Sequence, residues 1–155
     1  MFIHNNVSEA SSIAAYNLHS GVNLIGFPVL SQDVSTESVL ENLESNGQSI
    51  IGEGEASANI GGNYVGSLNA INHTSGYWLK VGTDDVLLVP GSRVDCEETN
   101  YSLHFGNNLI SYNLYFPTLI EDALPYSIDE CLFVCWRGLH VVMAGIGTLN
   151  VKFHM

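Results

Sequence analysis

Two stretches of this chain are similar in sequence, and this similarity limits its architecture more than any other feature. Residues 16–27 (YNLHSGVNLIGF) return as residues 101–112 (YSLHFGNNLISY), with seven of twelve positions identical. Chance does not plausibly produce such agreement, and the interval between the copies is much longer than the unit of a short solenoid. The sequence therefore predicts an internal duplication with two pseudo-repeats.

Each copy predicts a strand, a turn and a second, buried strand. In the first copy, Tyr16 and Leu18 alternate with polar residues, and the segment from His19 to Asn23 contains a glycine and an asparagine, which tolerate positive φ. We expect a hairpin-type connection there. The apolar run 24–29 then predicts a core strand.

The rest of the first copy predicts one short helix and several more strands. Ser35 is a good N-cap for a helix that extends to about Leu43, with its apolar residues directed inward. Strands are predicted at 64–68, 76–81 and 86–89, after which Pro90-Gly91 is expected to close the module. The counterpart of the helix in the second copy is predicted at 118–124.

Composition favours strands and turns over helical bundles. The chain has 15 glycines, seven tyrosines and six phenylalanines among its 155 residues. The predicted fold class is mainly β, of a sandwich or barrel-like type, with one short helix per repeat. Four segments follow: an N-terminal arm (1–15), a complete module (16–91), an acidic linker (92–100), and an incomplete second repeat with a divergent C-terminal tail (101–155).

The end of the chain, 131–155, resembles nothing in the first copy, and an offset of 84 would place a second Gly-Tyr-Trp strand past residue 155. One interpretation is that the tail diverged into another strand pair. Another is a frameshift, because Trp136-Arg137-Gly138 could be encoded so that reading one nucleotide later gives Gly-Glu-Gly, aligned with residues 52–54.

Charge excludes some classes of partner. The formal net charge is −12, from four basic and 16 acidic side chains, so a phosphate backbone would be repelled and no nucleic-acid partner is expected. No uncharged apolar stretch is long enough for a membrane span, and the N-terminus does not have the pattern of a signal peptide.

Five short motifs follow one another in the first copy: 21–28 (GVNLIGFP), 38–40 (SVL), 51–56 (IGEGEA), 65–68 (VGSL) and 76–80 (GYWLK). In this order they resemble a repeat module of secreted and surface proteins of marine bacteria and of phage virion proteins. The second copy carries only the first third of the pattern. The resemblance implies an accessory unit for display, adhesion or attachment, located in a virion or at the extracellular surface.

Glu53 and Glu55 are weak candidates for catalysis. On a strand, their carboxylates would lie on one face about 7 Å apart, near the separation of glycosidase pairs. The competing interpretation is a structural carboxylate at a glycine-rich bend.

His19 and His104 occupy equivalent positions, which suggests a pseudo-symmetric metal site, although duplication of a turn would also repeat them. Cys96, Cys131 and Cys135 are expected to be free thiols, and no cofactor is predicted.

Tyr64, Tyr77 and Trp78 are the candidate residues for binding a carbohydrate or a protein partner. Tyr77 and Trp78 should point to opposite faces of one strand, so one belongs in the core. An outward Tyr77 sharing a face with Tyr64 would form a stacking platform for surface glycans.

These patterns favour a non-enzymatic structural or attachment module that binds protein partners or associates with itself. The alternative is a small glycan-acting hydrolase using Glu53 and Glu55. Whether the chain is an enzyme stays open at this point, with the balance against it.

Overall fold

The structure, a computed structural model, describes residues 12–94, 99–104, 106–111, 113, 133–137, 140–145 and 149–151. Some of the predictions concern residues outside these ranges. They are most of the N-terminal arm, the helix predicted at 118–124, and Cys96 and Cys131.

Strands dominate the described residues, which confirms the mainly-β class. They are β1 (Ser12–Leu18), β2 (Gly21–Gly26), β3 (Val29–Leu30), β4 (Gly47–Ile51), β5 (Ala56–Ile60), β6 (Asn63–Gly66), β7 (Gly76–Val81), β8 (Asp85–Arg93), β9 (Tyr101–Leu103), β10 (Gly106–Ser111), β11 (Phe133–Arg137), β12 (His140–Gly145) and β13 (Leu149–Val151).

The strands up to β8 form two sheets in which every pairing is antiparallel. A five-stranded sheet has the order β2-β7-β4-β5-β6, and a three-stranded sheet has the order β1-β8-β3. β5 and β6 form a hairpin whose two turn residues, Gly61 and Gly62, have φ values of 65° and 97°. Two consecutive glycines suit this turn because both positions require positive φ.

The predicted hairpin at residues 19–23 is wrong. β1 and β2 belong to different sheets, with β1 paired to β8 and β2 paired to β7. The turn is stabilised by a side chain and not by pairing between β1 and β2. The Asn23 carboxamide accepts a hydrogen bond from the His19 N–H (3.0 Å) and donates one to the His19 carbonyl (2.8 Å). An asparagine side chain that bonds the backbone in this way competes with regular secondary structure.

The predicted helix starts where expected and is shorter than expected. The Ser35 hydroxyl accepts a hydrogen bond from the Ser38 N–H (3.3 Å) and caps α1 (Thr36–Val39), and a 3-10 turn (Glu41–Leu43) follows. Its apolar residues Val39, Leu40 and Leu43 are buried, as predicted. Such a short helix is held by this packing, because a single turn is marginal by itself.

One hydrophobic cluster joins the inner faces of the two sheets. Phe27 lies at its centre, fully buried, with its ring centroid 5.6 Å from that of Tyr16 and 5.8 Å from that of Tyr77. Leu87 and Val89 of β8 contribute from the three-stranded sheet. Their alternation with exposed Val86 and Leu88 is the period-two pattern of a strand with one buried face.

The strand predicted to end at Val89 continues through Pro90 and Gly91 to Arg93, where it pairs with β3. Gly91 is required there because a Cβ atom at this position would lie 2.1 Å from the Leu30 carbonyl carbon. The proline and glycine therefore mark a close approach of two strands, and the prediction that they terminate the strand is wrong.

The C-terminal strands form two further sheets. β12 lies between β10 and β11, and β13 pairs with β9, all in antiparallel fashion. Only residues 138 and 139 separate β11 from β12 in the sequence. The tail thus contains an antiparallel strand pair, β11 with β12, and both interpretations of its origin stay predictions.

We expect the substitution Tyr16→Phe to stabilise the protein by about 1 kcal/mol, because it removes a buried hydroxyl that has no hydrogen-bond partner among the described residues. Burial raises the pKa of this tyrosine strongly, although Arg93 nearby opposes the shift. Tyr77→Phe is the matched control. Its hydroxyl accepts a hydrogen bond from the Asn72 N–H (2.8 Å), so this change should destabilise by about 1 kcal/mol. Urea denaturation measures both, and shifts of the same sign would contradict the argument.

Candidate functional site

The Glu53 turn, residues 52–55, connects β4 to β5. The Gly52 N–H donates to the Glu55 carbonyl (2.9 Å), and Gly54 has a φ of 77°. The two carboxylates therefore lie on a tight turn, and the predicted strand with both on one face is wrong. A glycine at the left-handed position permits this reversal where a strand would otherwise continue.

Both carboxylate oxygens of Glu53 contact the second copy of the repeated sequence. Oε1 contacts His104 Nε2, and Oε2 accepts a hydrogen bond from the Leu109 N–H (3.0 Å). The side chains of Glu53 and His104 are 40% and 55% exposed, so water screens part of this attraction. The backbone amide supplies a directional partner that does not depend on the protonation of the histidine.

His104, which follows β9, is held against β10 in the same way as His19 is held against β2. The Asn108 carboxamide accepts from the His104 N–H (2.9 Å) and donates to the His104 carbonyl (3.0 Å), the same pair of bonds that Asn23 makes with His19. Both asparagines are buried. The repeated asparagine thus holds the backbone of the histidine in both copies, and each histidine side chain extends from this fixed backbone.

The two histidines have different partners. His104 contacts Glu53, whereas His19 Nδ1 lies 2.9 Å from the Ser20 carbonyl oxygen. Within the part of the chain that the structure describes, no group of three or more His, Cys, Asp or Glu side chains could hold a metal ion.

A second contact beside Glu53 is made by the chain just before β7. The Ser111 N–H donates to the Thr74 carbonyl (2.9 Å), and Ser75 forms an isolated antiparallel bridge with Ile110. Next to them, a Cβ atom on Gly76 would lie 3.0 Å from the Ile110 carbonyl oxygen. Thr74 and Ser75 therefore add a short strand to the edge of β10 that faces away from β12.

Asn113 extends this contact. Its side chain is buried, donates to the His73 carbonyl (2.9 Å) and accepts from the Ser111 hydroxyl (2.8 Å). Sequence reasoning did not identify Thr74, Ser75 or Asn113, because their roles depend on partners distant in the chain. The repeated asparagine at 23 and 108 was a signal within reach, since it recurs with the histidine four positions before it.

Two grooves lie at the two copies of the repeated sequence. The first groove has a volume of about 460 Å³, and the second groove has a volume of about 90 Å³. Both grooves share six equivalent positions, which in the first groove are Tyr16, Asn17, His19, Asn23, Leu24 and Ile25. Glu53, Thr74 and Ser75 also line the second groove. The second groove is thus narrowed by residues that have no counterpart in the first.

The aromatic residues occupy different environments. Tyr77 is buried in the core, and Trp78 on the same strand is 40% exposed, as their alternation predicted. A platform of Tyr64 with an outward Tyr77 is therefore wrong, because Tyr77 faces inward. Burial raises the pKa values of both Tyr64 and Tyr77.

Trp78 borders the first groove and belongs to the outer face of the five-stranded sheet. Its cross-strand neighbours there are Leu24 and Ile51, and Ile51 in turn neighbours Ala56. No strand of this sheet carries an acidic residue, although the chain has 16. The outer face is thus apolar around Trp78 and lacks the negative charge that prevails elsewhere in the chain.

Comparison with known proteins found no matching family model, no matching curated protein and no matching solved structure. Among the described residues, no helix has the length and apolar character needed to cross a membrane.

Proposed function

We propose that the chain is a non-enzymatic structural or attachment module of a virion or cell-surface protein, in which two similar sandwich-like β units dock one behind the other. The observation that carries this proposal is the contact of Glu53 with His104 and with the Leu109 amide. In this view the Glu53 turn belongs to the first unit and the loop that receives it belongs to the second.

A structural role for Glu53 is favoured over catalysis by what surrounds it. A general acid or nucleophile needs a carboxylate oxygen that is directed at substrate. Both carboxylate oxygens of Glu53 already contact protein groups. Glu55 is separated from Glu53 by Gly54, which has a left-handed backbone conformation. The hydrolase alternative gains no comparable support from the geometry.

The strand pairing supports two units of one design. Gly21 pairs with Val81 in the first unit, and Gly106 pairs with Gly145 in the second. From the first unit to the second, the residue number therefore increases by 85 for the first partner and by 64 for the second partner. Leu18 pairs with Asp85, and Leu103 pairs with Leu149, which gives the same two offsets. Because register is strictly specified in a sheet with one buried face, this agreement favours a common ancestor for both units.

The pairing also indicates what the second unit has lost. Ile51 pairs with Trp78, and Cys135 pairs with Val142, so β11 corresponds to β4 at an offset of 84, and β12 corresponds to β7 at an offset of 64. The second unit therefore has fewer residues between β11 and β12 than the first unit has between β4 and β7, by the difference between the two offsets. The additional residues of the first unit include β5 and β6. We propose that the second repeat is incomplete by the absence of this hairpin, with its last strands retained.

The attachment function would use the apolar outer face of the five-stranded sheet, around Trp78. Exposed apolar patches of this kind on a soluble fold are typical of interaction sites. A face without acidic residues avoids the repulsion that a chain of net charge −12 would otherwise impose on a protein partner or on another copy.

Glu53→Ala tests the proposal. We expect the Leu109 amide to exchange its hydrogen about tenfold faster, because it loses its acceptor and the docked loop opens more often. Glu55→Ala is the matched control on the same turn and should leave this amide unchanged. Hydrogen exchange followed by NMR gives both values.

Two outcomes would contradict the structural role. The first is that Glu53→Ala leaves the Leu109 amide as protected as in the parent chain. The second is that the parent chain hydrolyses a β-glycan substrate and that Glu53→Ala abolishes this activity, which would favour the hydrolase alternative.

A further inference from the structure

The first groove is lined by the same positions of the repeated sequence as the second, without the residues from elsewhere in the chain that line the second. Six lining positions correspond, and the same asparagine holds the same loop in both. The second groove is lined in addition by Glu53, Thr74 and Ser75, and its volume is about 90 Å³. The first groove, at about 460 Å³, is large enough to receive an equivalent turn and edge.

The register of β2 directs a backbone donor into the first groove. The Leu109 N–H points away from β12 and binds Glu53, and Leu109 pairs with Val142. Leu24 is the residue at the same place in the ladder between β2 and β7, where it pairs with Trp78. Because successive residues of an antiparallel strand direct their N–H groups to alternate sides, the Leu24 N–H also points away from its partner strand, toward the first groove.

His19 precedes Leu24 by five positions, as His104 precedes Leu109. Among the described residues, the ring of His19 bonds only its own loop, where the Nδ1–H donates to the Ser20 carbonyl oxygen (2.9 Å), so Nε2 can donate to an incoming carboxylate when the ring carries both protons. An amide donor in β2 and an imidazolium donor on the loop before it form a site for a carboxylate. The anionic partner would in addition cover part of Trp78.

We infer that the first groove is a docking site for the Gly-Glu-Gly turn and Thr-Ser edge of another module of this type, placed before residue 16 in an assembly. This inference rests on the proposed function. The carboxylate of the incoming turn would bind the Leu24 N–H and His19, and the incoming edge would pair with β2 as Thr74-Ser75 pairs with β10.

This chain cannot fill its own first groove or that of a second copy in the same way. Its Glu53 is already bound to the loop of His104, and the position that corresponds to Glu53 in the second unit, by the offset of 84, is Arg137. An arginine offers no acceptor to an amide donor. The occupant is therefore a different module that carries the acidic turn. The contact is heterologous, because it joins the turn of one module to the groove of the next, so successive modules would be arranged head to tail.

The test extends the chain by one module. Residues 1–15 are replaced by a second copy of residues 12–100, so that the added Asn100 precedes Tyr16 as it precedes Tyr101 in the parent, and only the original part is isotope-labelled. We expect the labelled Leu24 amide to gain about tenfold protection from hydrogen exchange relative to the parent chain. Glu53→Ala in the added copy should abolish the gain, and Glu55→Ala in the added copy should preserve it.

Unchanged exchange of the Leu24 amide in the extended chain overturns the inference. A second measurement covers the case in which the added copy does not fold. The labelled parent chain is titrated with a synthetic peptide of residues 50–57 (IIGEGEAS), which should shift the amide resonances of Leu24 and His19. The absence of any shift at peptide concentrations of several millimolar, the range of weak contacts, also overturns the inference.

The two failures are distinguishable. If Glu53→Ala exposes the Leu109 amide in the parent chain and the extension does not protect the Leu24 amide, the docking of the two units stands and only the inference fails. If neither amide depends on Glu53, the proposed function fails as well.

Discussion

Phe27→Ala is expected to lower the free energy of unfolding by about 4 kcal/mol, the largest loss that we expect from any single substitution in this chain. The ring is fully buried and lies between the rings of Tyr16 and Tyr77, one in each sheet. Its removal leaves a cavity that neither sheet can close, because the two strands that carry these tyrosines are fixed by their own ladders. Chemical denaturation monitored by circular dichroism gives the value.

Val22→Ala is the control for Phe27→Ala. Val22 is an exposed apolar residue on β2, so its truncation should change the free energy of unfolding by less than about 0.5 kcal/mol. A loss of under about 1 kcal/mol for Phe27→Ala would mean that the two sheets do not share a core at this position.

The second large effect is expected from the buried asparagines. Asn108→Ala removes two hydrogen bonds, of 2.9 and 3.0 Å, and deprives the His104 N–H and carbonyl of these partners, at a cost of about 2 kcal/mol. Asn23→Ala removes the equivalent pair at His19 and should cost a similar amount. Thermal denaturation followed by circular dichroism measures both losses.

The two asparagine variants should differ in one respect. Asn108→Ala alters the loop that receives Glu53, so the Leu109 amide should lose protection in this variant and keep it in Asn23→Ala. Exposed Asn107 and Asn17 serve as controls, and their replacement by alanine should be nearly neutral. If Asn107→Ala proved as costly as Asn108→Ala, the hydrogen bonds to the histidine backbone would not be the cause.

Local features of the fold were predictable from the sequence. Ser35 followed by apolar residues at helical spacing indicated the capped helix, and the alternation in 76–81 indicated that Tyr77 and Trp78 point to opposite faces of β7, without indicating which of the two is buried. Each of these depends on neighbouring residues alone, through capping and through the period of a strand.

The pairing of strands was less predictable, because it depends on partners distant in the sequence. The Gly and Asn in residues 19–23 are typical of a hairpin turn, but here the asparagine bonds the histidine backbone and the strands on either side join different sheets. Pro90 and Gly91 are typical of a strand end, but the glycine is needed for the close approach to Leu30. The same residue types serve both purposes, and local pattern does not separate them.

The candidate site was predicted in part. Glu53 and His104 were both singled out, but for separate roles in catalysis and metal binding, and their mutual contact spans 51 positions of sequence. No periodicity links a turn after β4 to a loop before β10. The asparagine repeated at 23 and 108 was a signal for the constraint on this segment, which the two buried carboxamides explain.

The pairing of β1 with β8 has a consequence for the order of folding. Ser12 pairs with Gly91 and Leu18 pairs with Asp85, so the first described strand acquires its only partner among the described strands after seven further strands have been synthesised. Closing so long a loop costs entropy before any contact repays it, which slows folding. We therefore expect β1 to pair with β8 only after the ribosome has released β8, when all the strands of the five-stranded sheet have already been synthesised.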